Sequence, residues 1–225
     1  MMLDDIFERV ARAAEFSGRS FSDITIVAAT KTVDILRIAP IVQAGVTNLG
    51  ENRVQELMDK YGGVPNACWH MIGHLQKNKV KYIIDKVNLI HSVDNFELAK
   101  EIDRQASKYN KVQDILVQVN ISGEESKFGV AEQNCRELIE QISTLKNVRT
   151  CGLMTIPPLA ASEQYVRELY SKCNSILIDI REQQLDNVSM HQLSMGMSGD
   201  FEIAIQEGAN IVRIGSGIFG ARQAT

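Results

Sequence analysis

A lysine near the start of the chain follows an apolar segment and could act as a nucleophile. Lys31 comes directly after Ile26-Val-Ala-Ala-Thr30, whose β-branched and small residues are typical of a buried strand. Burial disfavours the charged ammonium and therefore lowers the pKa of a lysine. A neutral amine attacks carbonyl groups and forms Schiff bases. An ordinary solvated lysine fits the same local sequence, so Lys31 alone does not establish this chemistry.

Two segments near the end of the chain are rich in glycine and serine and are suited to binding an anion. Ser194-Met-Gly-Met-Ser-Gly199 opens directly into a predicted helix, and Gly215-Ser-Gly217 follows an apolar run. Glycines let a ligand approach the backbone closely, and the N–H groups at a helix N-terminus favour a phosphate. A plain capped loop with Ser198 as the N-cap is the alternative for the first segment.

Polar side chains also occur in or beside other predicted strands. Arg213 lies inside the apolar run 211–214, where a guanidinium is costly unless it contacts a ligand or an inward-facing carboxylate. Asn52 follows the second predicted strand and could either bond a ligand or begin the next helix. His70 and His74 give a weak metal signal, and we expect each to be a buried histidine with its hydrogen bonds satisfied.

The rest of the chain alternates between helix-like and strand-like runs. Predicted helices cover residues 3–16, 34–44, 51–61, 78–86, a segment from 95, 131–145, 162–183 and 200–206. Predicted strands cover residues 24–30, 46–49, 69–74, 88–93, 115–119, 150–156, 188–193 and 211–214. Pro40 falls inside the second predicted helix, where we expect a kink or a shifted start because proline lacks the N–H that a helix needs.

Strands alternating with helices at this spacing predict a single α/β domain over residues 1–225, a TIM-type (β/α)₈ barrel with an extra N-terminal helix. An open doubly wound sheet is the alternative, but no Gly-x-Gly-x-x-Gly follows the first strand. In a barrel, functional residues lie at the C-terminal ends of the strands, and phosphates commonly bind after strands seven and eight. A lysine and a phosphate site at one opening suit a phosphorylated carbonyl compound. Pyridoxal phosphate and the sugar phosphate of a Schiff-base aldolase both fit.

Composition and charge exclude several classes of protein. Lys and Arg total 24 against 28 for Asp and Glu, and no block of like charges occurs, so a broad nucleic-acid surface is not expected. No apolar run is long enough to span a bilayer, and the acidic N-terminus does not resemble a signal peptide. The four cysteines show no C-x-x-C spacing, which favours reduced thiols in the cytoplasm and disfavours zinc.

Several short motifs occur in a fixed order and span nearly the whole chain. They are Val27-Ala-Ala-Thr-Lys-Thr32, Leu49-Gly-Glu-Asn52, Val54-Gln-Glu56, His70-Met-Ile-Gly-His-Leu-Gln-Lys-Asn-Lys79, Val119-Asn-Ile121, Ser126-Lys-Phe-Gly129, Gly152-Leu-Met-Thr-Ile156, Leu193-Ser-Met-Gly-Met-Ser198, Val212-Arg-Ile-Gly215 and Ile218-Phe-Gly-Ala-Arg222. Each motif alone is weak, whereas the combination is specific. Through these motifs the chain resembles the pyridoxal 5'-phosphate homeostasis proteins, a family of single-domain pyridoxal-phosphate binders.

The resemblance implies a fold-type III pyridoxal-phosphate barrel related to the barrel half of alanine racemase. It implies that Lys31 holds the cofactor as an aldimine and that Asn52 lines the ring. Arg213 would face the pyridine nitrogen and keep it unprotonated, which weakens the ring as an electron sink. Lys127 is expected to be an auxiliary cofactor contact only. The residues implied around the phosphate are Ser194, Gly196, Ser198, Gly215 and Ser216.

The resemblance favours a carrier and regulator of pyridoxal phosphate in intracellular vitamin B6 and linked amino and keto acid homeostasis, with little or no catalysis. An amino-acid racemase and a sugar-phosphate aldolase are the alternatives. The racemase needs a second acid–base from an added β-domain, and we expect no C-terminal β-domain because only six residues follow Phe219. We expect a cytoplasmic monomer with no nucleic-acid or membrane partner, and apo-enzymes that receive the cofactor are candidate partners.

Overall fold

Parallel strands are the framework of the fold. The computed structural model describes residues 2–124, 126–159 and 161–220. The strands in these ranges are β1 Thr25–Ala29, β2 Asn48–Glu51, β3 Cys68–Met71, β4 Val87–Val93, β5 Gln113–Asn120, β6 Val130–Ala131, β7 Val148–Met154, β8 Val188–Met197 and β9 Ile211–Ile214. Eight of them form a closed barrel in the order β4-β3-β2-β1-β9-β8-β7-β5, because β4 also pairs with β5. The two-residue β6 is hydrogen-bonded to β5 and lies outside this ring of eight strands. The predicted barrel is therefore confirmed.

Helices lie between successive strands and cover the outside of the barrel. They are α1 Met2–Phe16, α2 Ile35–Gln43, α3 Val54–Lys60, α4 Val80–Ile83, α5 Phe96–Ser107, α6 Glu132–Ser143, α7 Glu163–Arg181, α8 Phe201–Gln206 and α9 Ser216–Phe219. The extra helix α1 packs against α8 and α9, the helices that precede and follow β9. None of the helices in the described ranges is both long enough and apolar enough to cross a membrane.

The strands are buried on both faces, as a covered parallel sheet requires. In β1, Val27 belongs to an apolar cluster inside the barrel that also contains Leu89 and Leu116. Its neighbours Ile26 and Ala28 belong to the larger core between strands and helices. This alternation explains why the strand sequences read as continuous apolar runs with no polar face.

Several element bounds differ from the sequence-based expectation, and two of the differences bear on the site. β8 continues to Met197 instead of ending at residue 193, because Ser194 and Met197 pair with Ile211 and Arg213 of β9. Glu51 belongs to β2 instead of the next helix, because it pairs with Met71 of β3. Both extensions follow from hydrogen bonds with a neighbouring strand, which a local pattern does not encode.

The second helix starts where its cap places it, despite the proline inside it. The Asp34 carboxylate accepts a hydrogen bond from Leu36 N, and α2 begins at Ile35 and includes Pro40. Of the kink or shifted start expected at Pro40, the shifted start is not found. All four cysteines, Cys68, Cys135, Cys151 and Cys173, are free thiols, in line with the sequence-based expectation. Residues 221–225, which include the end of the last family motif, lie outside the described ranges.

Candidate functional site

A cavity of about 400 Å³ opens at the C-terminal ends of the barrel strands. It brings together Lys31, Asn52 and Arg213, three of the residues singled out from the sequence. Its other lining residues are Ala29, Ile72, Gln118, Asn120, Ser126, Lys127, Phe128, Ile156, Pro157, Leu159 and Met197. The ionisable side chains among the described lining residues are Lys31, Lys127 and Arg213, and all three are cationic. The cavity is therefore suited to an anionic ligand.

The backbone that carries Lys31 is fixed on both sides by carboxylates. Thr30 Oγ1 donates a 2.6 Å hydrogen bond to Glu51 Oε1, and Lys60 Nζ donates to both Glu51 Oε1 at 2.7 Å and Thr30 O at 2.8 Å. On the other side, Thr32 N donates to a carboxylate of α3 at 2.6 Å. These contacts tie the turn after β1 to β2 and α3, so that Lys31 projects into the cavity from a rigid base.

Glu51 and Lys60 form a buried ion pair beneath this turn. The Glu51 side chain is fully buried and that of Lys60 nearly so. Burial raises the pKa of Glu51, although the hydrogen bonds from Lys60 and Thr30 act in the opposite direction. Glu51 Oε2 has no hydrogen-bond partner among the described residues, which makes the remaining contacts of this carboxylate with Lys60 and Thr30 more important.

Asn52 is positioned by the close approach of Gly73, which lies in the connection that follows the neighbouring strand β3. A Cβ at Gly73 would lie 2.4 Å from Asn52 O and 2.7 Å from Asn52 Cα, so a larger residue would displace this backbone. Asn52 itself follows β2 and lies between that strand and α3, with its side chain on the cavity. The sequence left open whether it lines the opening or begins the helix, and it does the former.

Arg213 is buried in β9, yet no carboxylate holds it. Nη1 donates to Ser194 O at 2.8 Å and to Ser194 Oγ at 2.6 Å, and Nη2 donates to Thr155 O at 2.9 Å. Burial lowers the pKa of Arg213, with smaller opposing contributions from Tyr170 and Asp200. The salt bridge considered from the sequence is not present among the described residues. Neutral acceptors hold the guanidinium, which leaves its positive charge available to a ligand.

The two Gly/Ser segments meet beside the end of β1. Ser198 Oγ accepts hydrogen bonds from Gly215 N at 3.2 Å and Gly217 N at 3.1 Å. Gly215 lies against Ala29, since a Cβ on it would be 3.5 Å from Ala29 Cβ. Ser216 is exposed at the start of α9. The second segment therefore follows β9, the strand paired with β1 that leads to Lys31, and the first segment adjoins it at the end of β8.

Ser194 and Gly196 have a different placement from the one expected. Both belong to β8, and the fully buried Ser194 hydroxyl is bonded to Arg213 and His91, so it has no access to a ligand in the cavity. Gly196 has φ +92°, and a Cβ there would lie 2.5 Å from Ala204 Cβ and 2.9 Å from Phe201 Cα. Gly196 thus permits close packing of α8 on β8.

Lys127 and its neighbours are a larger part of the site than the sequence indicated. Lys127 Nζ is buried without a hydrogen bond to any described residue, and it forms an ion pair with Glu124 Oε1 at 3.2 Å. Gln118 and Asn120, at the end of β5, and Phe128 complete this side of the cavity. The motif Ser126-Lys-Phe-Gly129, directly after a strand, was the available signal for this side.

The two histidines considered as metal ligands lie in separate environments. His70 is buried, as expected, and its Nδ1 lies 2.9 Å from His91 Nε2. His74 is exposed, contrary to expectation: its ring stacks on Phe128 at 4.1 Å, and its Nδ1 lies 3.9 Å from Asp94 Oδ2. Within the described ranges, no three His, Cys, Asp or Glu side chains are grouped to hold a metal ion. His91, within the apolar run of β4, was not identified from the sequence.

Comparison with known proteins gives full-length matches. The family described as alanine racemase, N-terminal domain, matches residues 2–223. A pyridoxal phosphate homeostasis protein of Aquifex aeolicus is 45% identical over 98% of this chain and 97% of its own length. A solved protein of unknown function from Bifidobacterium adolescentis has a TM-score of 0.93 at 35% identity, covering 97% of this chain and 93% of its own.

A second solved structure adds a ligand. PipY of Synechococcus elongatus, determined with PLP bound, has a TM-score of 0.82 at 30% identity, and the match covers 94% of this chain and 100% of PipY. The similarity in sequence and fold extends over essentially the whole chain in each case. The chain belongs to the pyridoxal phosphate homeostasis proteins, within the family that shares the N-terminal barrel domain of alanine racemase.

Proposed function

We propose that this chain binds pyridoxal phosphate, attached covalently through Nζ of Lys31, and that it acts in vitamin B6 and linked amino and keto acid homeostasis with little or no catalysis. The observation that carries the proposal is the cavity in which Lys31 and a carboxylate-free Arg213 meet beside the two Gly/Ser segments. The ligand-bound PipY relative and the named homeostasis relatives support the same ligand.

The cavity fits this cofactor in size and charge. Its volume of about 400 Å³ lies within the usual range of small-molecule sites. Three basic side chains are among its described lining residues. The buried Lys127 Nζ, which has no hydrogen bond within the described ranges, is suited to an anionic or polar ligand group. Phosphate oxygens would accept hydrogen bonds from the Ser198 hydroxyl and from Ser216, and Asn52 would lie along the ring.

Arg213 sets what the bound cofactor could do. Pyridoxal phosphate supplies an aldehyde for amines and an electron-withdrawing ring, which is strongest when its nitrogen is protonated. The Arg213 guanidinium would face that nitrogen, donate a hydrogen bond to it and disfavour a second positive charge there. With the ring nitrogen unprotonated, the site is poorly suited to stabilise a carbanion, which supports a role in holding the cofactor over a role in catalysis.

The acid–base groups of the cavity also support a non-catalytic role. Among its described lining residues, Lys31 and Lys127 are the side chains that can exchange protons, since Arg213 stays charged. Racemisation requires a second acid–base on the far side of the substrate from Lys31. Among the described lining residues that candidate is Lys127, which is paired with Glu124, and no Tyr, His or Cys is present there. A monomeric state, a cytoplasmic location and transfer to apo-enzymes are further parts of the proposal.

Absorption spectroscopy of the purified protein tests the binding. Pyridoxal phosphate should give a visible absorption band. Borohydride should abolish this band and attach the cofactor permanently, as a label, to the peptide that contains Lys31. Lys127→Ala is the matched control, and it should still be labelled at Lys31. A protein that remains colourless with added pyridoxal phosphate, or a label on another lysine, would refute the proposal. Racemisation of alanine at about 1 s⁻¹ or faster would refute the non-catalytic part.

A further inference from the structure

A row of buried side chains crosses the interior of the barrel and ends on Arg213. Arg213 Nη1 lies 2.6 Å from Ser194 Oγ, which lies 2.9 Å from His91 Nδ1. His91 Nε2 lies 2.9 Å from His70 Nδ1, and His70 Nε2 lies 3.1 Å from Asn48 Oδ1. We call these five residues the buried relay. It runs from the cavity to Asn48, the first residue of β2, at the opposite end of the barrel.

The direction of each hydrogen bond follows from the arginine. A guanidinium can only donate, so Ser194 Oγ accepts from Arg213. The single hydroxyl proton of Ser194 is then directed to His91 Nδ1, since these are the partners of Oγ among the described residues. A neutral His91 with an accepting Nδ1 carries its proton on Nε2 and donates it to His70 Nδ1. His70 in turn donates from Nε2 to Asn48 Oδ1.

Burial keeps both histidines neutral, as this direction requires. His91 is fully buried and His70 is about 5% exposed, and neither is bonded to a carboxylate in the described ranges. Burial lowers the pKa of His70 to about 4. Burial also lowers the pKa of His91 well below its usual value, and His70 and Arg213 add to this effect. Every member of the buried relay other than Arg213 is therefore uncharged at neutral pH.

We propose that His91 and His70 are positioning residues that fix the Ser194 hydroxyl as an acceptor and thereby orient Arg213 in the cavity. A carboxylate could orient an arginine equally well, but it would cancel the positive charge that a ligand meets. The uncharged residues of the buried relay are oriented so that an acceptor faces Arg213, and each hydrogen bond in the row polarises the next. The effect on cofactor binding rests on the proposed function, whereas the orientation of Arg213 does not.

Nitrogen NMR of the ligand-free protein tests the hydrogen-bond direction without any substitution. The ring-nitrogen resonances of His91 and His70 should both show a protonated Nε2 and an unprotonated Nδ1 at neutral pH. His191 is an internal reference, because it is exposed and contacts Ser189 outside the buried relay. A protonated Nδ1 on His91, or a doubly protonated ring on either buried histidine, would overturn the proposal.

His91→Phe tests the effect on Arg213, and His191→Phe is the matched control. The phenylalanine fills most of the ring volume but cannot accept from Ser194. We expect the Arg213 guanidinium resonances, identified by their loss in Arg213→Lys, to move or broaden in His91→Phe and to stay unchanged in His191→Phe. Unchanged Arg213 resonances in a folded His91→Phe protein would overturn the proposal. If His91→Phe does not fold, Ser194→Ala provides the same test from the other side of the bond.

Pyridoxal phosphate titration separates this proposal from the proposed function. His91→Phe should raise the Kd for the cofactor on the order of tenfold and shift the visible absorption maximum, because Arg213 is no longer held toward the ring. An equal Kd and spectrum in His91→Phe and wild type would overturn the positioning role. If neither protein binds the cofactor, the proposed function fails, and the Arg213 resonances alone decide on the positioning role.

Discussion

At the scale of single residues, the proposed site depends on one amine held at a rigid turn. Lys31 sits between Thr30 and Thr32, whose contacts with the carboxylates of β2 and α3 are each 2.6 Å long. The turn is formed by the backbone and by these threonines, and the Lys31 side chain extends from it into the cavity. The amine can therefore be removed without disturbing the turn that presents it.

Lys31→Ala is expected to abolish the covalent attachment of pyridoxal phosphate and to leave the fold intact. The substitution removes a half-buried cavity side chain and no core volume, so the free energy of unfolding should change by less than about 1 kcal/mol. Urea unfolding measures the stability, and absorption after borohydride measures the attachment. A loss of several kcal/mol would show that Lys31 is a structural residue of the barrel.

At the scale of elements, the buried ion pair between β2 and α3 supports the Lys31 turn. Lys60→Met should destabilise the protein by about 3–5 kcal/mol at pH 7, because it leaves the Glu51 carboxylate buried without a cation. Burial already raises the pKa of Glu51, and the loss of Lys60 raises it further. The folded protein then binds a proton that the unfolded chain has released, so stability falls as the pH rises between the unfolded and folded pKa values of Glu51.

Urea unfolding of Lys60→Met and of wild type at pH 4.5 and pH 7 measures this dependence. Each unit by which the pKa of Glu51 differs between the folded and unfolded states corresponds to about 1.4 kcal/mol in the free energy of unfolding. The double variant Lys60→Met/Glu51→Gln is the control, and it should recover part of the stability and lose the added pH dependence. A destabilisation of Lys60→Met that is equal at both pH values would contradict the assignment of the effect to the Glu51 charge.

The packing of α8 on β8 gives a second prediction at this scale. Gly196→Ala should cost about 2–4 kcal/mol, because a Cβ there would lie within 3 Å of Ala204 Cβ and Phe201 Cα at a left-handed φ of +92°. Gly199→Ala is the matched control, since nothing lies within 4 Å of a Cβ at that position. Thermal unfolding of the two variants compares them directly, and equal midpoints would contradict this packing role.

The local sequence predicts the elements better than it predicts contacts between them. The apolar strands are recognisable because a covered parallel sheet buries both strand faces, as in β4 and β7. The continuation of β8 through Ser194 and Gly196 is not recognisable from the local sequence, because its hydrogen bonds are made with β9. His91 resembles one more core position within β4, and its bond to Ser194 of β8, 103 residues later, depends on barrel closure. Lys31, Asn52 and Arg213 were identifiable because each breaks or follows an apolar run.

At the scale of the whole molecule, the closed barrel couples ligand binding to global stability. Lys31 follows β1, Arg213 lies in β9, and these strands are the pair that joins the two ends of the strand sequence. Gln118 and Lys127 contribute from β5 and its following loop, on another side of the opening. A ligand that bridges these elements is bound only when the barrel is complete, so unfolding must release it.

Pyridoxal phosphate should therefore raise the free energy of unfolding, by about 2.7 kcal/mol at a free concentration of 100 times its Kd. The measurement is urea unfolding with and without the cofactor, at two protein concentrations tenfold apart. The proposed monomer predicts the same midpoint at both protein concentrations, whereas an obligate dimer would unfold at a higher midpoint in the more concentrated sample. Lys31→Ala should lose most of the cofactor-induced increase, because the remaining contacts bind the cofactor without a covalent bond. An increase that Lys31→Ala retains in full would mean that the cofactor stabilises the barrel from another site.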